Sequence, residues 1–424
     1  MSPVLPFDII ALIIDIIGEN NDSDANFLKE LALVSHSFLQ MCRKHLFATV
    51  ELHDADPICH VASSKKGFVK LLESRPEIVK YIRKLTYTID YDHVLSPQFS
   101  LDLNFDNDDN LLSPILPNFL RTISHLNSLK INASLLVWND MNPSLTSAFL
   151  HLMHLPTINH IDLSFIYNFP LSSLTPCVNL LRLDMSRLRS SDGDGSPEFV
   201  VQSEILPKIR EFRSSDTSLL TTKLINAKMQ DGRPAFNFMD LRRLSMSCLW
   251  YKDFENIRYI LQNATVLEKL QLYIGYQSLV GLRDVLSLSA RTLKVFDLSV
   301  LSNPLTALTD LRDDLEVMVG LNMLESLSLK VQVEGDEAGD VVGSIFQRVE
   351  EVLVNPGWSA LSQVSFKVEI MPGGDSASLS AVLQTLPDKY LSHLPKHESF
   401  AFNFSAYVYR PWTSRREGDV NIWI

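Results

Sequence analysis

One spacing recurs along most of this chain: an apolar residue, two variable ones, an apolar one, a polar one and an apolar one. It reads Ile82-x-x-Leu85-x-Tyr87, Leu126-x-x-Leu129-x-Ile131, Ile158-x-x-Ile161-x-Leu163, Leu180-x-x-Leu183-x-Met185 and Leu241-x-x-Leu244-x-Met246. It continues as Leu267-x-x-Leu270-x-Leu272, Leu293-x-x-Phe296-x-Leu298, Leu324-x-x-Leu327-x-Leu329 and Leu361-x-x-Val364-x-Phe366, with weaker copies at Ile209-x-x-Phe212 and Phe402-x-Phe404. The middle apolar positions run from Leu85 to Phe402, 317 residues in ten steps or about 32 per step, a period that signals stacked repeats. Each short strand buries alternate side chains and turns the polar residue between them outward.

The intervening stretches carry helical spacing. Asp253 caps a predicted helix burying Phe254, Ile257, Ile260 and Leu261; Leu279, Leu282, Val285 and Leu286 share a face, as do Leu311, Leu315, Met318 and Val319 before Gly320. One strand and one helix per repeat follows, and hence an α/β chain. At 424 residues the chain exceeds the ~250–300 at which single cores stop growing. A repeat array meets that constraint; an α/β domain with nine or more parallel strands is the alternative.

The pattern resembles the leucine-rich repeat over most of residues 78–405. It departs where the asparagine that often follows the strand is replaced by Ile166, Leu188, Leu249 or Leu301. The resemblance implies a solenoid with parallel strands on a concave face and helices on a convex one. Its outward row would meet a target protein through Lys130, Asp162, Asp184, Ser245, Gln271, Tyr273, Asp297, Lys330 and Lys367. The acids lie toward the first and central repeats and the lysines toward the end, which suggests a partner of complementary charge; simple solvation of strand positions explains them equally. The tail 406–424, with Tyr409, Trp412 and Trp423, is expected to cap the last repeat's open edge.

Ahead of the repeats, residues 5–17 form a predicted helix with little polar surface, opened by Pro6 at its first position and Asp8 at the positive end of its dipole. At 3.6 residues per turn Asp8, Ala11 and Asp15 share a narrow stripe. Ile9, Leu12, Ile13 and Ile16 cover one flank and Ile10, Ile14 and Ile17 the other. A module of three short helices can bury one flank, leaving the second for another protein, unless the whole helix is enclosed in its own domain. A second helix is expected after a cap at Ser23 or Asp24, and a third, capped by Ser35, through Phe38, Leu39, Cys42 and Leu46.

This stretch resembles the F-box, carried by Leu5-Pro6, the isoleucine-rich first helix and Leu31-Ala32-Leu33-Val34-Ser35 followed by the aromatic Phe38. The continuation Cys42 to Leu52 is similar to the segment after the F-box in many proteins of mushroom-forming fungi. The resemblance implies a Skp-family adaptor as partner, met by Leu5, Pro6, Ile9, Ile10, Ile13, Ile14, Ile17, Leu31, Leu33, Val34 and Phe38. It divides the chain into a helical module (1–50), a connecting segment (51–77), the repeats (78–405) and a cap (406–424). The function implied is that of a substrate receptor in an SCF-type cullin-RING ubiquitin ligase. A non-degradative scaffold and an enzyme with a dispersed site are the rival readings.

A net charge of −12 speaks against affinity built on phosphate neutralisation, so nucleic acid is not expected as a ligand. The apolar run at the start is too short for a membrane span and carries two aspartates. Cys42, Cys59, Cys177 and Cys248 lack CxxC spacing, which fits buried thiols in the cytoplasm or nucleus.

The sequence contains no GxSxG elbow, phosphate loop, GxGxxG fingerprint or HExxH helix, so no catalytic residue, cofactor or metal is assigned. His151, His154 and His160 read as structural, and Pro395 separates His393 from His397. The calcium-like run 106–110 has Leu111 where Gly is required and Pro117 where Glu is required. With 190–197 and 334–340 it reads as loop.

Overall fold

The computed structural model describes residues 6–19, 25–53, 63–89, 115–189, 200–201, 206–275, 279–302, 310–320, 323–334, 338–371, 383, 385–391, 393–394, 400–408 and 422–423. Leu5, the caps Ser23 and Asp24, Cys59, run 106–110, loop 190–197, His397 and Tyr409 with Trp412 fall outside them.

Three helices open the chain: α1 (Phe7–Glu19), α2 (Ala25–Val34) and α3 (His36–Leu46). The Pro6 carbonyl accepts from Ile9 N and Ile10 N at 3.1 and 3.2 Å, so Pro6 caps the helix and Phe7 takes the first helical position expected for Pro6. Ser35 caps α3 as expected, its hydroxyl accepting from Phe38 N at 3.3 Å. Ile14, Leu28 and Cys42 are fully buried at the centre, and Ile10, Ile17, Leu31, Ala32, Phe38, Met41 and Leu46 pack around them. Asp15 fastens α1 to α3 through Lys44 at 2.6 Å and His45 at 2.9 Å. Those two hydrogen bonds hold its carboxyl below the usual carboxylate range.

The chain divides into two compact units, residues 1–207 with 228–231, and 208–227 with 232–424. In the first, strands β1 (Thr49–His53), β2 (Lys84–Ile89), β3 (Ser128–Val137), β4 (His160–Tyr167) and β5 (Arg182–Ser186) lie side by side, all parallel. Helices α4 (Ser63–Ser74), α5 (Ile115–Thr122) and α6 (Pro143–Met153) occupy the connections, and a separate short pair joins β6 (Val200–Val201) to β8 (Lys228–Met229).

The second unit sets β7 (Glu211–Ser215), β9 (Arg243–Cys248), β10 (Lys269–Ile274), β11 (Val295–Ser302), β12 (Ser326–Glu334), β13 (Gln363–Met371) and β14 (Ala401–Val408) in parallel order. Between them run α7 (Ser218–Asn226), α8 (Tyr251–Asn263), α9 (Leu282–Ser289), α10 (Leu311–Glu316) and α11 (Ala338–Leu353). Each unit is thus mixed α/β on an open parallel sheet, not a closed barrel.

The recurrent apolar positions fall opposite one another in the ladders. Leu85 pairs with Leu129, Leu129 with Ile161 and Ile161 with Leu183; Phe212 pairs with Leu244, then Leu270, Phe296, Leu327, Val364 and Phe402 follow in sequence. A slip of one residue would turn all of these outward, so the spacing fixes the register.

Three details depart from expectation. The ladder begins at β1, where Val50 sits opposite Leu85, earlier than the repeats were read. The connection from β4 to β5 holds a 3₁₀ turn, Leu171–Leu174, in place of a helix, because its two anchors, Ile161 and Leu183, are 22 residues apart, the shortest step in the array. Asp253 lies inside α8 and accepts from Leu249 N and Trp250 N, both at 2.9 Å, so it caps from the helix's own first turn. At the far edge β15 (Ile422–Trp423) pairs antiparallel with β14, placing part of the tail on that edge as expected.

Candidate functional site

The helical wheel of α1 is resolved into an inner and an outer flank. Ile14 is 1% exposed and Ile10 and Ile17 pack beside it, whereas Ile9, Leu12, Ile13 and Ile16 are each about half exposed, Ile13 at 44%. The two stripes differ by a rotation about the axis, and only the inner one meets α2 and α3. At the end of α2 Leu33 is 88% and Val34 66% exposed, and Phe27 near its start is 47% exposed. The three helices thus carry most of the large apolar side chains left in solvent among the described residues; the others, such as Met239, Trp250, Val280 and Met323, are scattered along the second unit.

The adaptor-facing residues named from sequence therefore separate. Pro6, Ile9, Ile13, Leu33 and Val34 are exposed and available. Ile14 is core, and Ile10, Ile17, Leu31 and Phe38 support it from partly buried positions. Ile14 is withdrawn as a contact residue because three helices of this length have few other side chains with which to make a centre. Phe7, Leu12, Ile16 and Phe27 are exposed as well, outside the adaptor-facing set, although Leu12 and Ile16 share the flank of Ile9 and Ile13 on the helical wheel.

The outward strand residues form rows whose charges are met locally. Asp162 and Asp184 stand directly opposite each other, a repulsive placement. Lys130 answers Asp162 at 3.0 Å, and Arg182 and His160 answer Asp184 at 2.7 and 3.2 Å. Burial raises the Asp184 carboxyl, and the hydrogen bonds from His160 and Arg182 outweigh it, holding it below the usual range. In the second unit Lys330 and Lys367 are likewise opposed and share Glu369, each at 2.9 Å, with Gln332 donating to the same carboxylate.

Asp297 is held by Lys269 at 3.1 Å and Gln271 at 2.7 Å. Ser245 stands opposite Gln271, and Tyr273 opposite Ser247 and Ser299. Each charged member of the row named from sequence thus has a counter-charge within reach, Lys330 and Lys367 sharing one carboxylate. Glu369 was overlooked in the sequence, although the period-two step from Lys367 puts it on the same face.

Histidines 151, 154 and 160 do not meet: His151 is exposed, His154 Nε2 contacts the Ser173 carbonyl at 2.9 Å, and His160 belongs to a different line. Among the described residues no group of three metal-ligating side chains has the geometry to hold an ion. Ser128 Oγ lies 2.9 Å from His160 Nδ1, and His160 Nε2 lies 3.2 Å from Asp184 Oδ2. That order is a nucleophile, base and orienting carboxylate. Yet Arg182 donates from Nε and Nη2 to the same Asp184 oxygen, and the Ser128 amide is spent on the Arg83 carbonyl at 3.1 Å, removing it as an oxyanion donor.

Burial pushes the thiols of Cys42, Cys177 and Cys248 up, Cys177 to about 12, so they stay protonated and unreactive. Among the described residues no helix is long and apolar enough to cross a membrane. No family model matches this chain, and no curated protein matches it in sequence.

Proposed function

We propose that this chain is an F-box substrate receptor: α1–α3 dock on a Skp-family adaptor of an SCF-type cullin-RING ubiquitin ligase, and a leucine-rich-repeat-like solenoid holds the target protein. The observation that carries the reading is the outer flank of α1, four half-exposed aliphatic residues on a module whose core is already filled by the opposite flank. Fully burying such a side chain contributes about 1.5–3 kcal/mol, so covering the exposed half of four yields roughly 3–6 kcal/mol before association costs. Leu33 and Val34 add to that sum at the position where the resemblance places adaptor contacts. Their exposure has no use in the module's own packing.

The proposed mechanism is proximity. Strand rows whose named charges are held by neighbours present a polar, pre-ordered surface, and holding a target there raises the effective concentration of its lysines near the ubiquitin carrier. The chain supplies no acid, base or nucleophile in this scheme. The test is co-expression with a Skp-family adaptor. Pro6→Ala combined with Ile13→Asp abolishes co-purification while the strand units remain folded by circular dichroism; retained capture at comparable strength overturns the reading. Recovery of cullin with the wild-type complex separates the ligase subunit from a non-degradative scaffold.

The Ser128–His160–Asp184 line favours a second reading, a hydrolase. Covalent labelling of Ser128 by a fluorophosphonate, lost in His160→Ala, would support it. The occupied Ser128 amide and the Arg182-bound carboxylate speak for no labelling.

A further inference from the structure

Seven of the thirteen residues of α1 are leucine or isoleucine, and they lie on both flanks of the helix. Packing around Leu28 and Cys42 places Ile14 at the centre, yet a step of one residue would bring a neighbour to the same place. Such a step turns the helix by about 100° and exchanges much of the free flank for the buried one. Were Ile13 turned inward, the cluster would receive an identical side chain, so apolar packing by itself discriminates weakly. In coiled coils the register of such apolar seams is fixed by single polar contacts.

Two residues of α1, Asp15 and Gly18, stand one turn apart against α3 and block both steps. Lys44 Nζ lies 2.6 and 2.8 Å from the two Asp15 oxygens, and His45 Nε2 lies 2.9 Å from Oδ1. Gly18 faces the same ring, where a Cβ would overlap Cγ and Nδ1 of His45. Turning Ile13 inward would bring Ile14 to the place of Asp15 and Ile17 to that of Gly18, where a branched side chain has no room. Turning the other way would bring Asp15 to the place of Ile14 and bury a carboxylate in an apolar cluster. Lys44 and His45 belong to the last turn of α3, which runs into β1 across residues 47–48. There the Ala48 carbonyl accepts from Arg83 N and Lys84 N, both at 2.8 Å, so α1 is held against an element continuous with the first ladder.

We propose that Asp15 and Gly18 are positioning residues: against Lys44 and His45 they hold α1 in the one rotation that turns Ile9, Leu12, Ile13 and Ile16 outward, and so set the face an adaptor meets. The proposal rests on the receptor reading for what docks there, while the lock itself is a property of the free chain. With the Asp15 side chain 35% and that of Lys44 47% exposed, the ion pair is open to water and contributes little to stability. Its loss is therefore read in which flank is presented, with melting nearly unchanged. That separates positioning from simple stabilisation.

Thiol labelling of the full chain by N-ethylmaleimide, with no adaptor present, tests the lock. The reporters are Ile16→Cys, at a position 50% exposed, and Ile14→Cys, at one 1% exposed, each read by peptide mass spectrometry. Ile16→Cys is expected to label about tenfold faster than Ile14→Cys, and in Asp15→Leu with His45→Ala the ratio falls to about threefold or less while the melt shifts little. Adaptor capture by Asp15→Leu with His45→Ala falls severalfold, although no residue of the free flank is altered. Asp15→Leu alone decides the matter if the double variant does not fold, and Ile10→Cys serves as the inner reporter if Ile14→Cys does not. An unchanged ratio, or undiminished capture once the ratio has collapsed, would overturn the proposal. A ratio that collapses in the variant while the wild type captures no adaptor supports the lock and removes the receptor reading alone.

Discussion

The three-helix module and the strand ladders handle exposed side chains in opposite ways. In the ladders, outward positions are polar and the charged ones named from sequence are met by neighbours, as where Glu369 serves both Lys330 and Lys367. In the module, outward positions are apolar and unmet: Ile9, Leu12, Ile13 and Ile16 line the free flank of α1 while its charged residue, Asp15, is tied down by Lys44 and His45. A surface with its interactions closed internally is built to be stable in water. One with open apolar area gains stability when covered, and that contrast is the reason the adaptor is proposed to dock at the module.

The largest effect that sharpens this contrast is loss of a ladder core. Phe366 stacks on Phe346 at 4.8 Å and meets Phe402 edge-on at 5.6 Å, so Phe366→Ala is expected to cost about 3–5 kcal/mol in denaturant unfolding without touching adaptor capture. Next come the two flanks of α1. Ile14→Ala is expected to cost roughly 2–5 kcal/mol, read as early melting of the module. Ile13→Ala, from the half-exposed stripe, changes stability by less than about 1 kcal/mol and weakens adaptor binding instead. Equal stability losses for the two would erase the distinction between flanks.

A smaller effect concerns Asp314, whose Oδ2 has no hydrogen-bond partner. Burial, followed by Asp310, pushes its carboxyl up to about 6. A folded-state value above the unfolded one means that stability falls as pH rises between them. Asp314→Asn should therefore raise the melting temperature at about pH 7.5 and leave it unchanged at about pH 3, where the wild-type group is protonated in both states.

The smallest is Glu369→Gln. Burial alone would raise that carboxyl, but Lys330, Lys367 and Gln332 outweigh it and hold it below its usual value. Its contribution is present above the unfolded pKa and lost as pH falls through the folded one. Being partly exposed, it amounts to about 1 kcal/mol or less, visible as a shallow pH dependence of unfolding that the variant lacks.

The ladder was largely legible in the sequence because a single six-residue pattern both makes a strand and sets its register, as the unbroken pairing from Leu244 to Phe402 shows. β1 escaped because Val50 and Leu52 follow a helix so closely that no separate repeat is visible. The short 3₁₀ link between β4 and β5 was foreshadowed only by the shorter spacing of Ile161 and Leu183.

At the module, the wheel separated the two stripes of α1 without saying which one faces inward. Ile13 and Ile14 are adjacent and chemically identical, and only the packing of Leu28 and Cys42 chooses between them. Ion pairs were the least legible. Lys330 and Glu369 are 39 residues apart, and their meeting depends on two strands being in register, a fact outside any local window.

The most direct test of the docking face is hydrogen exchange on the whole chain with and without a Skp-family adaptor. Protection is expected to rise in α1 and at the Leu33–Val34 end of α2, with the strand amides of both units unchanged. An adaptor complex in which α1 exchanges as in the free chain, or in which protection falls on the ladders instead, would contradict the account.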